Sequence, residues 1–354
     1  MKRIIFLMFV VFVWFVSASR LHAQGGITTF DAPGAGTGPG QGTLPQQITA
    51  AGTIVGNYVD TNFVTHGFVR TAQGEFTTID APGALRTQAL GMTQARIVGF
   101  YFDTSHVRRG YVLGPDREFV SFDAPGAGTA RGQGTIAAAI NAAGTVSGEY
   151  IDANFVSHGF VRTADGTITT FDPPGSVNVI ADTLGINSAG TVVEQYVDAN
   201  SVGHGALRAA DGTITTFDVP QAGTGPGQGT FPEAINVEGT ISGNYVDASG
   251  VNHGFLRAPD GTLTTFDVSQ AGTGPGQGTI AGGSNPSEVT SGQYLDSSFV
   301  SHGFLRAPDG TIVTFDAPGA GTGGTNCFSI SPSGQAMGSY LDSNFTFHGF
   351  VRKP

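Results

Sequence analysis

Cysteine is almost missing from this chain. Cys327 is the only one in 354 residues, so no internal disulfide can brace the fold, and stability has to come from the core and from strand pairing. Lysine is as scarce: Lys2 and Lys353 are the only two, and the formal net charge is −11. That leaves no basic face for phosphates, which argues against nucleic acid as a partner, and the acidity reads most simply as a solubility feature. Tryptophan occurs once, as Trp14 in the opening segment. Its absence from the rest counts modestly against sugar stacking.

Long apolar runs are also lacking. Residues 4–16 form an unbroken apolar stretch of 13 residues, too short to span a bilayer. With Lys2 and Arg3 before it and the small Ala23 after it, the segment reads as a secretory signal over 1–23, cut before Gln24, although Leu21 is a less usual residue three places before a cut. An uncleaved anchor is the other reading. No cysteine near the cut offers a lipid attachment point, and loss of Lys2, Arg3 and Arg20 takes the net charge from −11 to −14. The expectation is a single domain over 24–354, secreted or periplasmic, monomeric and free of the membrane after cleavage.

Glycine, by contrast, is abundant at 55 residues, a composition that can signal disorder. Here Val, Ile, Phe and Tyr recur at fixed places, which argues for a packed repeat instead. GTITTFD stands at 166–172, returns unchanged at 212–218, and has five close variants. The closing aspartates, Asp31, Asp80, Asp123, Asp172, Asp218, Asp267 and Asp316, are spaced by 49, 43, 49, 46, 49 and 49 residues. Each copy splits into four short β segments, a to d, with tight-turn chemistry between a and b and between c and d. In the third copy these are a stretch ending at Ile140, GTVSGEYID, HGFVR and GTITTFD. Short strands at such a period predict an all-β, seven-bladed β-propeller of four-stranded blades. The segment count adds that the N-terminal d strand (27–31) pairs beside the last c strand (348–352) and closes the ring. An open solenoid and two packed sheets are the alternatives.

A meander of this kind puts the long b–c and d–a loops on one face, where function is to be sought. Every b segment ends in Tyr-x-Asp, with a histidine six residues after that aspartate (Asp60 and His66, Asp152 and His158) except for Asp103 and Arg109 in the second copy. The pair is expected to hold the b–c hairpin by a charge-assisted hydrogen bond. Metal ligation is the weaker reading, because two ligands per copy satisfy neither zinc nor calcium, and no metal or cofactor is expected. With Asp60 opposite His66, Tyr58 should face Phe68, with Gly56 diagonal to it. In the fourth copy Glu194 replaces that glycine while Ala206 replaces the aromatic, a volume compensation or else a buried acid with a raised pKa. Gly-rich d–a loops such as GAGTGPGQGT (34–43) resemble phosphate cradles only weakly, since no Gly-Lys-Ser/Thr and no helix follows. At the b–c tips Phe63, Phe155, Phe299 and Phe345 are the candidate ligand-binding residues, with folding onto a neighbouring loop as the competing reading; His106, Ser201 and Gly250 fill the other tips. No catalytic constellation emerges, since any triad would recur in every copy. If the protein were an enzyme, the carboxylates to test first are Glu149, Glu194 and Glu233, which depart from their repeat.

The combination of an Ile-Asn turn, a Gly-x-Tyr strand and a His-Gly-Phe strand resembles the bacterial extracellular HAF repeats, over nearly all of the chain after residue 23. That resemblance implies export and a propeller, with no general activity. Two functions remain open. One is a non-enzymatic scaffold binding an extended extracellular glycan or protein across the long-loop face, which near-identical copies favour through avidity. The other is a lyase or hydrolase acting on a polysaccharide at the central channel.

Overall fold

The computed structural model describes residues 26–354, the side chains of 181–184 excepted, so the candidate signal segment 1–23 lies outside the described residues. Every regular element among the described residues is a β-strand, 28 in all. Unit 3 is representative, with a over Gly134–Ile140, b over Val146–Ile151, c over Ser157–Arg162 and d over Ile168–Phe171. Its a–b turn is closed from Asn141, whose Oδ1 accepts the amides of Ala143 and Thr145 at 3.1 and 3.0 Å while Gly144 takes φ +82°. That turn chemistry is what the Asn-Ala-Ala-Gly sequence specifies.

The same a-b-c-d antiparallel ladder recurs from the first repeat to the sixth: a and b, b and c, c and d pair in each. The seventh repeat supplies only a, b and c. Its last strand, Phe347–Arg352, pairs with the N-terminal strand Ile27–Phe30 in the register Ile27 to Arg352 and Phe30 to Gly349. Successive a strands are neighbours from one repeat to the next, and the last of them, Thr325–Ile330, also neighbours the first, Gly42–Ile48.

Packing between repeats explains why these residue types recur. The d-strand aromatic lies across the c-strand glycine of its own unit, so a Cβ at Gly159 would come within 2.8 Å of the Phe171 ring. The arginine closing the next c strand lies over that ring: Arg208 over Phe171, Arg257 over Phe217 and Arg306 over Phe266, at 5.0, 5.0 and 4.9 Å from the centroids. Such cation–π stacking tolerates a half-buried guanidinium that a plain apolar wall would not. Arg70 sits over Phe30 in the same way at 4.6 Å, so the meeting of the chain's two ends repeats the contacts found between other neighbours. The apolar clusters likewise straddle repeats; one gathers Phe30, Ile48, Ile54 and Phe68 with Met337 of the last repeat.

The expected b–c register is corrected by two residues. Gly56 stands directly opposite Phe68, and Tyr58 opposite His66, on which its ring stacks at 4.9 Å. The reason lies in the loop. Asp60 N donates to Val64 O at 3.0 Å and Phe63 takes a left-handed φ of +60°, so Asp60 belongs to the turn rather than to the ladder. Glu194 and Ala206 are directly opposed as well, which makes the exchange of large for small in unit 4 a single cross-strand pair.

Candidate functional site

The d–a and b–c loops are bonded to each other on one face. Gln41 Nε2 donates to Thr61 O at 3.2 Å, and Gln133, Gln228 and Gln277 make the equivalent bonds in their units. Glycine amides that would have cradled a phosphate are occupied by protein acceptors: Gly36 donates to Val59 O and Gly38 to Gln41 Oε1, both at 2.9 Å. At the b–c tips Phe63, Phe155, Phe299 and Phe345 are 55, 61, 57 and 53% exposed. They do not fold away beneath their neighbours, although the Phe155 and Phe299 rings lie beside Gly132 and Gly276 of their own units.

All four hold φ between +58 and +64°, a conformation costing a non-glycine residue about 1 kcal/mol or more. Unit 5 uses Gly250 at the same place with φ +80°, so the turn does not require the aromatic. Phe155→Gly is therefore expected to leave the thermal midpoint unchanged or raise it, by relief of about 1 kcal/mol, as calorimetry of the two proteins can check.

Beneath each tip lies a polar layer only partly foreseen. His66 Nδ1 bonds Asp80, the aspartate closing the d strand, at 2.9 Å, and its Nε2 lies 3.7 Å from Asp60. The nearer partner is thus across the c–d hairpin, and the expected Asp60–His66 pair is the longer contact. Asp60 chiefly caps the loop: its Oδ1 accepts the Asn62 and Val64 amides at 2.8 Å, and the Val64 amide leads in holding its carboxyl below the usual range. Arg109 makes both contacts in unit 2, to Asp103 at 2.9 Å and Asp123 at 2.5 Å. At the chain ends His348 bonds Asp31 at 2.9 Å. Among the described residues no three His, Cys, Asp or Glu side chains gather as a metal site would require.

A second candidate place is the open cavity lined mainly by the a strands, about 1290 Å³ in volume and reaching the a–b turns at Asn141, Asn187, Asn236 and Asn285. Each of these strands carries a bulge or irregularity, and the extra residues Gln46, Leu90, Ala138, Glu233 and Phe328 line the cavity. Bulges re-aim side chains in this way, and their positions escape simple strand alternation. Glu149 also lines the cavity, whereas Glu194 lies apart from it, 1% exposed between units 3 and 4 with its Oε1 against Gly159. Among the described residues neither of its carboxyl oxygens has a hydrogen-bond partner. Burial first, then the charges of Asp172 and Glu149, push its pKa well above the usual carboxyl range. The three carboxylates singled out from the sequence are therefore divided, two on the cavity wall and one inside the packing.

No protein-family model matches the chain, and no curated protein matches it. Solved structures do resemble it. Virginiamycin B lyase from Staphylococcus aureus superposes with a TM-score of 0.60 at 12% identity, over 93% of this chain and 99% of that one. BP39L lectin from Burkholderia pseudomallei gives 0.56 at 11%, over 87 and 94%. The fold is a β-propeller. YCF48 bound to the D1 peptide is a further similar chain, with a TM-score of 0.50 at 8% identity over 93 and 98%. At such identities the likeness carries the architecture alone, and that architecture serves proteins as different as a lyase and a lectin.

Proposed function

We propose that the chain is a seven-bladed propeller whose ring is closed by its N-terminal strand, and that it is an exported, monomeric scaffold, related to the HAF repeats, which binds an extended glycan or protein across its long-loop face. Closure is supported by the pairing of Ile27–Phe30 with the last strand, by Arg70 over Phe30 and by His348 bonded to Asp31. One observation carries the binding reading: four phenylalanines are held more than half exposed in a backbone conformation that glycine would adopt more cheaply. Strain of this kind is kept where a side chain is needed at the tip. Similar propellers include a lectin and a protein bound to a peptide, which agrees with either ligand class.

A second reading is favoured by Glu149 and Glu233 on the wall of the central cavity, where a polysaccharide lyase or hydrolase would place its acid and base. The test is a binding screen of the protein against bacterial and plant polysaccharides and peptides, with product release followed over hours. Saturable binding without turnover, weakened by Phe155→Gly, is the expected result. Turnover that survives the tip changes and is lost in Glu233→Gln would replace binding by catalysis.

A further inference from the structure

The junctions between neighbouring units on the long-loop face are of two kinds, and the phenylalanine tips follow the division. Loops opening units 1, 3, 5 and 6 each donate a glycine amide to the tip carbonyl of the unit before: Gly40 to Phe345 at 2.9 Å, Gly132 to His106 at 2.9 Å, Gly227 to Ser201 at 2.8 Å and Gly276 to Gly250 at 2.7 Å. These junctions are latched. The loops opening units 2, 4 and 7, residues 80–85, 172–177 and 316–324, are shorter, and among the described residues no backbone amide donates to the carbonyls of Phe63, Phe155 or Phe299. Every unlatched tip is phenylalanine. Three of the four latched tips are not. An aromatic serving only its own turn would not track the length of its neighbour's loop.

Two of the three unlatched junctions also expose an apolar residue of the neighbouring loop. Phe63 shares its junction with Leu85, 39% exposed, and Phe155 with Val177, 49% exposed; Asn178, next to Val177, accepts the Ser157 amide at 2.7 Å and so ties that loop to the Phe155 hairpin. The carboxylates of Asp80, Asp172 and Asp316 are about half exposed and are bonded to His66, His158 and His302 in the polar layer beneath the tips, as Asp31, Asp218 and Asp267 are to their histidines in the latched units. A pyranose presents an apolar C–H face on one side and adjacent hydroxyls at its edge. An aromatic face meets the first, and a carboxylate, which accepts at two oxygens, meets the second. Carboxylates on a chain of net charge −11 repel uronates and sulfated sugars. Single rings separated by latched junctions do not make the contiguous apolar centre of a protein interface, whereas they suit a polymer that offers the same unit repeatedly.

We propose that the junctions at Phe63, Phe155 and Phe299 are three separate subsites for the sugar rings of an uncharged polysaccharide, and that Phe345, latched by Gly40, contributes none. This rests on the loop-face reading of the preceding subsection and narrows its ligand to one class. The test is calorimetric titration of the protein with uncharged glucan, mannan and xylan oligosaccharides, with oligogalacturonate as the anionic control and a library of extended peptides alongside. Near three equivalents of one uncharged oligosaccharide are expected, falling to about two in Phe63→Gly, Phe155→Gly or Phe299→Gly and unchanged in Phe345→Gly. Thermal melts of the same variants show that each remains folded. Failure of every uncharged probe to bind, tighter binding of galacturonate, or equal loss in all four variants would overturn the proposal. A peptide that binds and is released by the tip changes would overturn it too, while leaving the loop-face reading intact; binding indifferent to every tip change would remove both.

Discussion

Deleting residues 26–31 is expected to lower the thermal midpoint by about 7 °C, and to open Cys327 to thiol reagents under conditions where the full chain is inert. The N-terminal strand supplies more than four ladder positions. Phe30 is 9% exposed within the cluster that holds Phe68 and Met337, it covers Gly349, and Arg70 lies over its ring. Ile27 packs against the neighbouring cluster of Leu305, Cys327 and Phe350. Burial of Phe30 contributes about 2–3 kcal/mol and the partial burial of Ile27 about 1 kcal/mol, so with its hydrogen bonds the strand accounts for about 5 kcal/mol, a large part of a typical total. Cys327 is a built-in reporter: it is 1% exposed, and burial pushes its thiol up to about 12. Reaction in the truncated chain, with none in Asp31→Asn, would separate loss of the strand from loss of its ion pair. A truncated chain that melts with the full one and keeps Cys327 protected would mean that the two ends do not depend on each other.

The fourth repeat supplies the other large effect. Its Glu194 and Ala206 face one another where other repeats oppose glycine to an aromatic, as Gly148 does to Phe160. Ala206→Phe alone is expected to destabilise by about 3 kcal/mol through overpacking against Glu194, and Glu194→Gly alone by a similar amount through the space it leaves. The double variant restores the repeat's own pair and should recover about half of the summed loss, a coupling of about 3 kcal/mol in a urea-melt cycle. Additive losses would show that the two side chains do not share one space.

The same carboxyl sets a pH dependence. In the folded protein the pKa of Glu194 is raised above its ordinary 4.5, so over the interval above 4.5 the native state keeps a proton that the unfolded chain releases. Its stabilising contribution is complete below 4.5 and declines as pH rises toward the folded pKa, by about 1.4 kcal/mol per pH unit. The loop aspartates act in the opposite direction and at lower pH, since the amides of Val64 and Val156 hold Asp60 and Asp152 below the usual range. Comparing the urea midpoints of the protein and Glu194→Gln from pH 4.5 to 7 isolates the first effect: the difference should grow with pH in favour of the variant. A constant difference would mean that Glu194 is ionised in the native state.

Much of this was legible because a repeat states its rules several times. The closing aspartates marked the repeats, and the surplus N-terminal d segment pointed to the pairing now seen between Ile27–Phe30 and the last strand. The spacing of fourteen residues from His66 to Asp80, and again from His158 to Asp172, was equally visible but unused. It would have identified the histidine's nearer partner, and His348, with no aspartate downstream, would have pointed to Asp31. The register error arose from a backbone feature that residue type conceals: nothing in Asp-Thr-Asn-Phe announces that Phe63 adopts φ +60° and takes Asp60 out of the ladder. Cation–π contacts such as Arg208 over Phe171 join different copies, so a pattern read within one copy cannot show them. The bulged residues Gln46, Glu233 and Phe328 escape alternation for the same reason that they reach the cavity.

The most direct measurement is made on one protein in which Phe63, Phe155, Phe299 and Phe345 are all changed to glycine, assayed for thermal midpoint and for binding to whichever polysaccharide or peptide the intact chain retains. The expected result is a midpoint equal to or above that of the intact protein, with binding lost by at least a hundredfold, because the rings of Phe63, Phe155 and Phe299 serve the ligand and all four cost the fold about 1 kcal/mol apiece. Undiminished binding by a folded four-glycine protein, abolished instead by Glu233→Gln, would contradict the loop-face reading and place the function in the central cavity.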